Sequence, residues 1–152
     1  MTITSALLRS LFLDSYAKIK THTMQITHAE SVRSPVSGAN CIHWIVGHVV
    51  VARCNFLTLL DTPSIWDWPT CECFIPGSKP TIETAARIRF ATLLTDLDRT
   101  QDQLLAALAH IAEADLEVAK DGQTIGEQLV TYAAHEAYHA GQLEILRQGL
   151  GK

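Results

Sequence analysis

The chain has 152 residues, 47% hydrophobic and 18% charged, and its 12 Lys+Arg against 16 Asp+Glu give a formal net charge of −4. Such length and usage suit a single domain over residues 1–152 with a core of its own, and they exclude a disordered or low-complexity chain. A mildly acidic protein without a Lys/Arg-rich block has no electrostatic ground for binding nucleic acid or an anionic membrane.

The apolar stretch at residues 7–13 is broken by Arg9 and followed by Asp14, too short for a secretory signal. Residues 42–60 contain His43, His48, Arg53 and Asn55, so no uninterrupted apolar run has the length of a membrane span. A cytoplasmic protein is expected. Its four cysteines, Cys41, Cys54, Cys71 and Cys73, then read as reduced thiols, and Cys71-x-Cys73 lacks the second close pair that a structural zinc site needs.

Apolar residues recur with the 3.6-residue period, and no alternating run is bounded by turns, which predicts an all-α fold. A first helix is expected over residues 4–29, carrying Leu8, Leu11, Phe12 and Ile19, before Ser34-Pro35-Val36-Ser37-Gly38 breaks the pattern. Asn40 is placed to cap a second helix reaching residue 60, which Asp61-Thr62-Pro63 ends. A long link follows over residues 61–79, with Trp66, Trp68 and Phe74 to pack it down.

Pro80-Thr81 opens a third helix predicted to run unbroken to Ile111, with a stripe of Ile82, Ala86, Arg89, Leu93, Leu97, Thr100, Leu104 and Leu108. Asp121-Gly122 forms a turn, and Thr124-Ile125-Gly126-Glu127 matches a capping box that starts a fourth helix reaching Gln148. Four helices with a long link between the second and third predict a four-helix bundle. The second helix is apolar nearly all round, more than one bundle stripe requires, so the surplus needs cover from the long link or from another subunit, and a homodimer is the expected arrangement.

The chemistry is concentrated in His135-Glu136-Ala137-Tyr138-His139. At about 100° per residue, positions four apart lie roughly 40° apart around the axis and one turn along it, so both imidazoles can reach one metal ion. They share an arc with Leu129, Tyr132, Glu136 and Leu143 and therefore face the core. His-Glu-x-x-His is also a metalloprotease signature, but 152 − 139 = 13 residues follow it, too few for a distant third ligand, and no sheet accompanies it.

A third ligand must come from another helix. His48 shares a stripe of the second helix with Trp44, Ile45, Ala52 and Asn55 and is the best candidate, whereas His22, His28, His43 and His110 read as bystanders. Three neutral imidazoles around a divalent first-row metal leave positions for water, as catalytic sites do. The alternative is a set of core histidines hydrogen-bonded to one another or to Tyr132.

Asn40-Cys41-Ile42-His43-Trp44-Ile45-Val46-Gly47-His48, with His135-Glu136-Ala137-Tyr138-His139-Ala140-Gly141-Gln142-Leu143, resembles the DinB-like family of metal-dependent enzymes over nearly the whole chain. The resemblance implies that His48, His135 and His139 bind a divalent transition metal, nickel or zinc. It also implies chemistry of the kind members perform, transfer or isomerisation with a low-molecular-weight thiol cosubstrate. The sequence departs from the common pattern at Tyr138, often histidine, and at Ala140, often arginine.

A metal with open positions acidifies bound water or thiol and polarises a carbonyl, which suits a hydrolase or a thiol transferase acting on a small-molecule substrate. A non-enzymatic metal-binding stress-response protein and a dimeric interaction module are the alternatives. Glu136 is the candidate general base, with a partner that orients a ligand, a further ligand, or a helix residue paired with a neighbour as its other readings. Asn55 and Gln142 are candidates to orient water or substrate, and Trp44, Trp66, Trp68 and Phe74 to line an apolar pocket or to fill the core.

Overall fold

The computed structural model describes residues 2–35 and 38–152, and the chain is mostly helical. Helix α1, Ser5–Thr23, starts where the Thr4 side chain accepts the Leu7 N–H, and it buries Leu8, Phe12, Ser15, Ile19 and Thr23 at steps of four and three. It stops short of the expected residue 29. Gln25 takes a left-handed φ of 62°, and Thr27 and Glu30 form a capping box that begins a separate short helix, α2, His28–Ser31. Of the expected breaker residues, Val36 and Ser37 lie outside the described ones.

Helix α3, Ile42–Leu59, is capped at Cys41 and not at Asn40, with no side-chain cap bond. The link that follows contains a one-turn helix, α4, Trp68–Cys71, started by the Asp67 carboxylate on the Thr70 N–H.

The third predicted helix is two helices, α5, Ile82–Arg87, and α6, Phe90–His110. Their junction is held by two histidines that sequence spacing left without a task. The carbonyl of Ile88 accepts from His43 Nε2 at 2.7 Å, and His28 Nδ1 accepts the Phe90 N–H at 3.2 Å. Side chains thus satisfy backbone groups that a continuous helix would pair internally. The buried face also changes there: Ala85 and Ile88 are buried while Ile82 is 85% exposed, so the predicted stripe holds only from Leu93 onward.

A single turn, α7, Glu113–Leu116, precedes a minimal antiparallel ribbon that an all-α reading omits, β1, Ala119–Lys120, and β2, Gln123–Thr124. Asp121 and Gly122, at φ 56° and 85°, make the turn between them in the doubly left-handed geometry of tight hairpins. Helix α8, Ile125–Gly149, begins at the expected Thr124–Glu127 capping box.

Helix α1 packs against α6 and α8, and α3 packs against the same two. Two apolar clusters result. One gathers Ile19, Ile45, Val49, Phe74, Leu97 and Leu143, the other Leu8, Phe12, Phe56, Leu104 and Leu129. Each long helix crosses from one cluster to the other at a fully buried polar residue: Ser15 on α1, Arg53 on α3, Thr100 on α6 and Glu136 on α8.

Helix α3 is long and apolar enough to cross a membrane by length and composition, yet 83% of it is buried inside the fold. The link contributes to that cover: Phe74 is fully buried, and Trp66 donates to Asp96 at 2.8 Å. The link and the neighbouring helices thus cover most of α3 within the chain, the first of the two covers expected.

Burial holds the His43 imidazole below its ordinary 6.5, with His28 lowered for the same reason. Between the folded and unfolded pKa values the unfolded chain binds more protons, so folding stability is present above 6.5 and falls as pH drops below it. In chelator-treated protein the urea midpoint should fall between about pH 7 and about pH 5, with a shallower slope in His43→Gln.

Candidate metal centre

The polar layer sets where the ligating helices lie. Arg53 Nε donates to Glu136 Oε1 at 2.7 Å and its Nη2 to Oε2 at 2.9 Å, while Ser15 Oγ donates to Oε2 at 2.8 Å. The remaining guanidinium nitrogen reaches the Leu97 carbonyl at 3.2 Å and Thr100 Oγ1 at 3.4 Å. A fork-to-fork pair of this kind has one good geometry, which fixes α3 against α8.

One and a half turns before Arg53 on α3 stands His48, and beside Glu136 on α8 stands His135, with His139 one turn further. The three imidazoles converge. His135 Nε2 lies 3.1 Å from His48 Nε2 and 3.0 Å from His139 Nε2, and each residue offers a ligand atom within 4.8 Å of the others. Imidazole nitrogens about 2.0–2.1 Å from one ion, at ligand angles of about 90–110°, stand about 2.8–3.4 Å apart, so the spacing fits a shared cation.

Hydrogen bonding on the far side of two rings fixes their tautomers. His48 Nδ1 lies 2.7 Å from the Phe74 carbonyl, which only accepts, so Nδ1 carries the proton and Nε2 presents a lone pair. His139 Nδ1 donates to Gln142 Oε1 at 2.8 Å, and the Gln142 amide donates in turn to the Tyr138 hydroxyl at 2.9 Å. Burial lowers the pKa of all three rings, His139 to about 4, and keeps them neutral. Two lone pairs therefore face His135 Nε2, and a single N–H there cannot serve both. His135 Nδ1 is buried without a partner among the described residues. A cation between the three nitrogens resolves a cluster that protons leave unsatisfied.

Of the two readings of the aromatics, core filling holds for Trp44 and Phe74, which are buried and also support a ligand. Trp44 stacks on His48 with ring centroids 4.8 Å apart and planes at 10°, anchored by its Nε1–H on Ser78 Oγ at 3.0 Å. Phe74 brings its carbonyl to His48 because its ring lies directly on Gly47, where any Cβ would overlap it. Trp68 is 62% exposed and takes no part.

Glu136 sits in the polar layer with both oxygens bonded, outside the three-histidine grouping. The cysteines are free and also outside it; Cys73 accepts from Arg87 Nη2 at 2.7 Å, and burial pushes the Cys71 thiol up to about 11. His28 and His43 occupy the α5–α6 junction, and His22 and His110 lie in the last turns of α1 and α6.

The sequence model of the DinB superfamily matches residues 11–143 of this chain. The chain belongs to the DinB superfamily. No curated protein matches it. The matched segment contains His48, His135 and His139 together with Gly47, Arg53, Glu136 and Gln142, and a cluster of three histidines fits a metal-binding DinB-like protein.

Sequence spacing missed Arg53 and Gly47 as parts of the apparatus in this DinB-superfamily chain, and it placed Gln142 near the metal as a candidate to orient water or substrate, whereas Gln142 holds His139 Nδ1. A charged residue inside an otherwise apolar helix and a glycine one residue before a candidate ligand were the signals.

Gly47→Ala should destabilise the fold by about 1–3 kcal/mol in chemical denaturation, because the Phe74 ring must move, and should weaken metal binding through the lost His48 partner. Glu136→Leu or Arg53→Met alone should cost about 3–5 kcal/mol, each leaving an unpaired buried charge, and the double variant should cost less than the sum.

Proposed function

We propose that the four long helices form a four-helix bundle whose inner histidines, His48, His135 and His139, hold a divalent transition metal, nickel or zinc, for reaction with a small molecule. The convergence of three Nε2 atoms, two of them 3.0 and 3.1 Å from the third, carries this reading. Three protein ligands leave coordination positions open, which is the arrangement of catalytic sites and not of closed structural ones. A divalent ion there acidifies a bound water or thiol and polarises a carbonyl.

The rest falls to the chain's own side chains. The Phe74 carbonyl and Gln142 hold the proton on the outer nitrogens of His48 and His139, so both rings keep their inner lone pairs in place. Glu136 is a positioning residue and not the general base: its carboxylate is spent on Arg53 and Ser15. Trp44 and Phe74 keep water from the outer side of His48. Among the described residues no carboxylate joins the three histidines, so the proton that a bound water or thiol would give up would pass to solvent, and a hydrolase and a thiol transferase both fit the site.

Untagged protein should contain about one equivalent of nickel or zinc by elemental analysis, and His135→Ala should lose it while retaining its helical circular dichroism. Equal metal in both proteins overturns the assignment. Turnover of an ester and electrophile panel, with and without added thiol, that His48→Ala abolishes supports an enzyme; metal without turnover on that panel favours a metal-binding protein.

A further inference from the structure

Beside His48 and His135 the fold contains a cavity of about 250 Å³. Val51 and Ala52, both buried, form its floor on α3, one turn beyond His48. Ile75 and Tyr132, half-buried, form its walls. Ile75 follows Phe74 directly, so the segment that grips His48 also shapes the cavity. Its exposed rim consists of Asn55, Pro76 and Thr131. No Asp, Glu, Lys or Arg lines it.

We propose that this cavity binds an uncharged molecule with an apolar body about the size of a substituted benzene, carrying one donor atom toward the three histidines. The inference rests on the metal-centre reading and deepens it by naming the substrate class. The space is open at its rim, and since an enclosed apolar cavity of about 150 Å³ takes benzene, about 250 Å³ has room for a ring with a short substituent.

Charge follows from the lining. A charged group carried on the body, away from the histidines, would give up its hydration against Val51, Ala52 and Ile75 with no countercharge in the lining to meet it. The neutral polar groups sit at the rim, where Asn55 and Thr131 can bond to a polar substituent without reaching the floor. A thiol cosubstrate bearing several charged groups does not suit the cavity; an uncharged thiol or a neutral ester or carbonyl compound does.

The test uses the full chain loaded with cobalt(II), whose visible absorption reports ligands at the centre. Two probes share a sulfur donor and differ in charge at the far end, thiophenol and 4-mercaptobenzoate. Thiophenol should bind at least about tenfold more tightly. Ala52→Leu, which fills the floor, should weaken thiophenol about tenfold with cobalt content unchanged. Thr131→Lys, at an exposed rim position where folding is not at stake, should narrow or invert the preference between the two probes. Equal affinity for both probes, or a preference that Thr131→Lys leaves unchanged, overturns the inference while the metal centre stands. Protein that takes up no cobalt contradicts the metal centre itself, a separate failure.

Discussion

The buried ion pair between Arg53 and Glu136 is the constraint on which the arrangement of the helices depends. Both side chains are fully buried, and the pair takes Ser15 and Thr100 into one layer that touches every long helix. Burying two charges costs several kcal/mol per ion, which an apolar layer of similar volume would avoid. What the pair supplies is register. An α3 displaced by one turn along α8 would leave both charges buried and unpaired, whereas apolar side chains repack after such a slip with little penalty.

Register matters because the ligands are divided between the same two helices. His48 lies on the helix of Arg53, and His135 and His139 lie on the helix of Glu136. Nitrogens 3.0–3.1 Å apart tolerate no slip of a helical turn, about 5.4 Å. The outer hydrogen bonds then complete the geometry from two directions, the link through the Phe74 carbonyl and α8 through Gln142. Folding has placed inner lone pairs against one another, an arrangement unfavourable in itself and favourable around a cation.

Much of this was legible in the sequence. The i, i+4 spacing of His135 and His139, the stripe through His48, and the capping box at Thr124 and Glu127 are local patterns, and local patterns survive folding. The broken third helix was not legible, since its break is stabilised by His28 and His43 from elsewhere in the chain, and a periodicity within residues 80–111 cannot register them. Glu136 shows the same limit. Its place in the arc of the ligating histidines was correct, but only the fold reveals that Arg53 takes up its carboxylate. The surplus apolar surface of α3 was read correctly as needing cover; the folded link and α6 provide it.

X-ray absorption spectroscopy of the metal-loaded chain at the metal edge tests the meeting of the three imidazoles most directly. Three nitrogen scatterers at about 2.0–2.1 Å with the outer-shell signature of imidazole, falling to two in His48→Ala, are expected. A shell of sulfur at about 2.3 Å, or an imidazole outer-shell signal that the loss of His48 leaves unchanged, would contradict it.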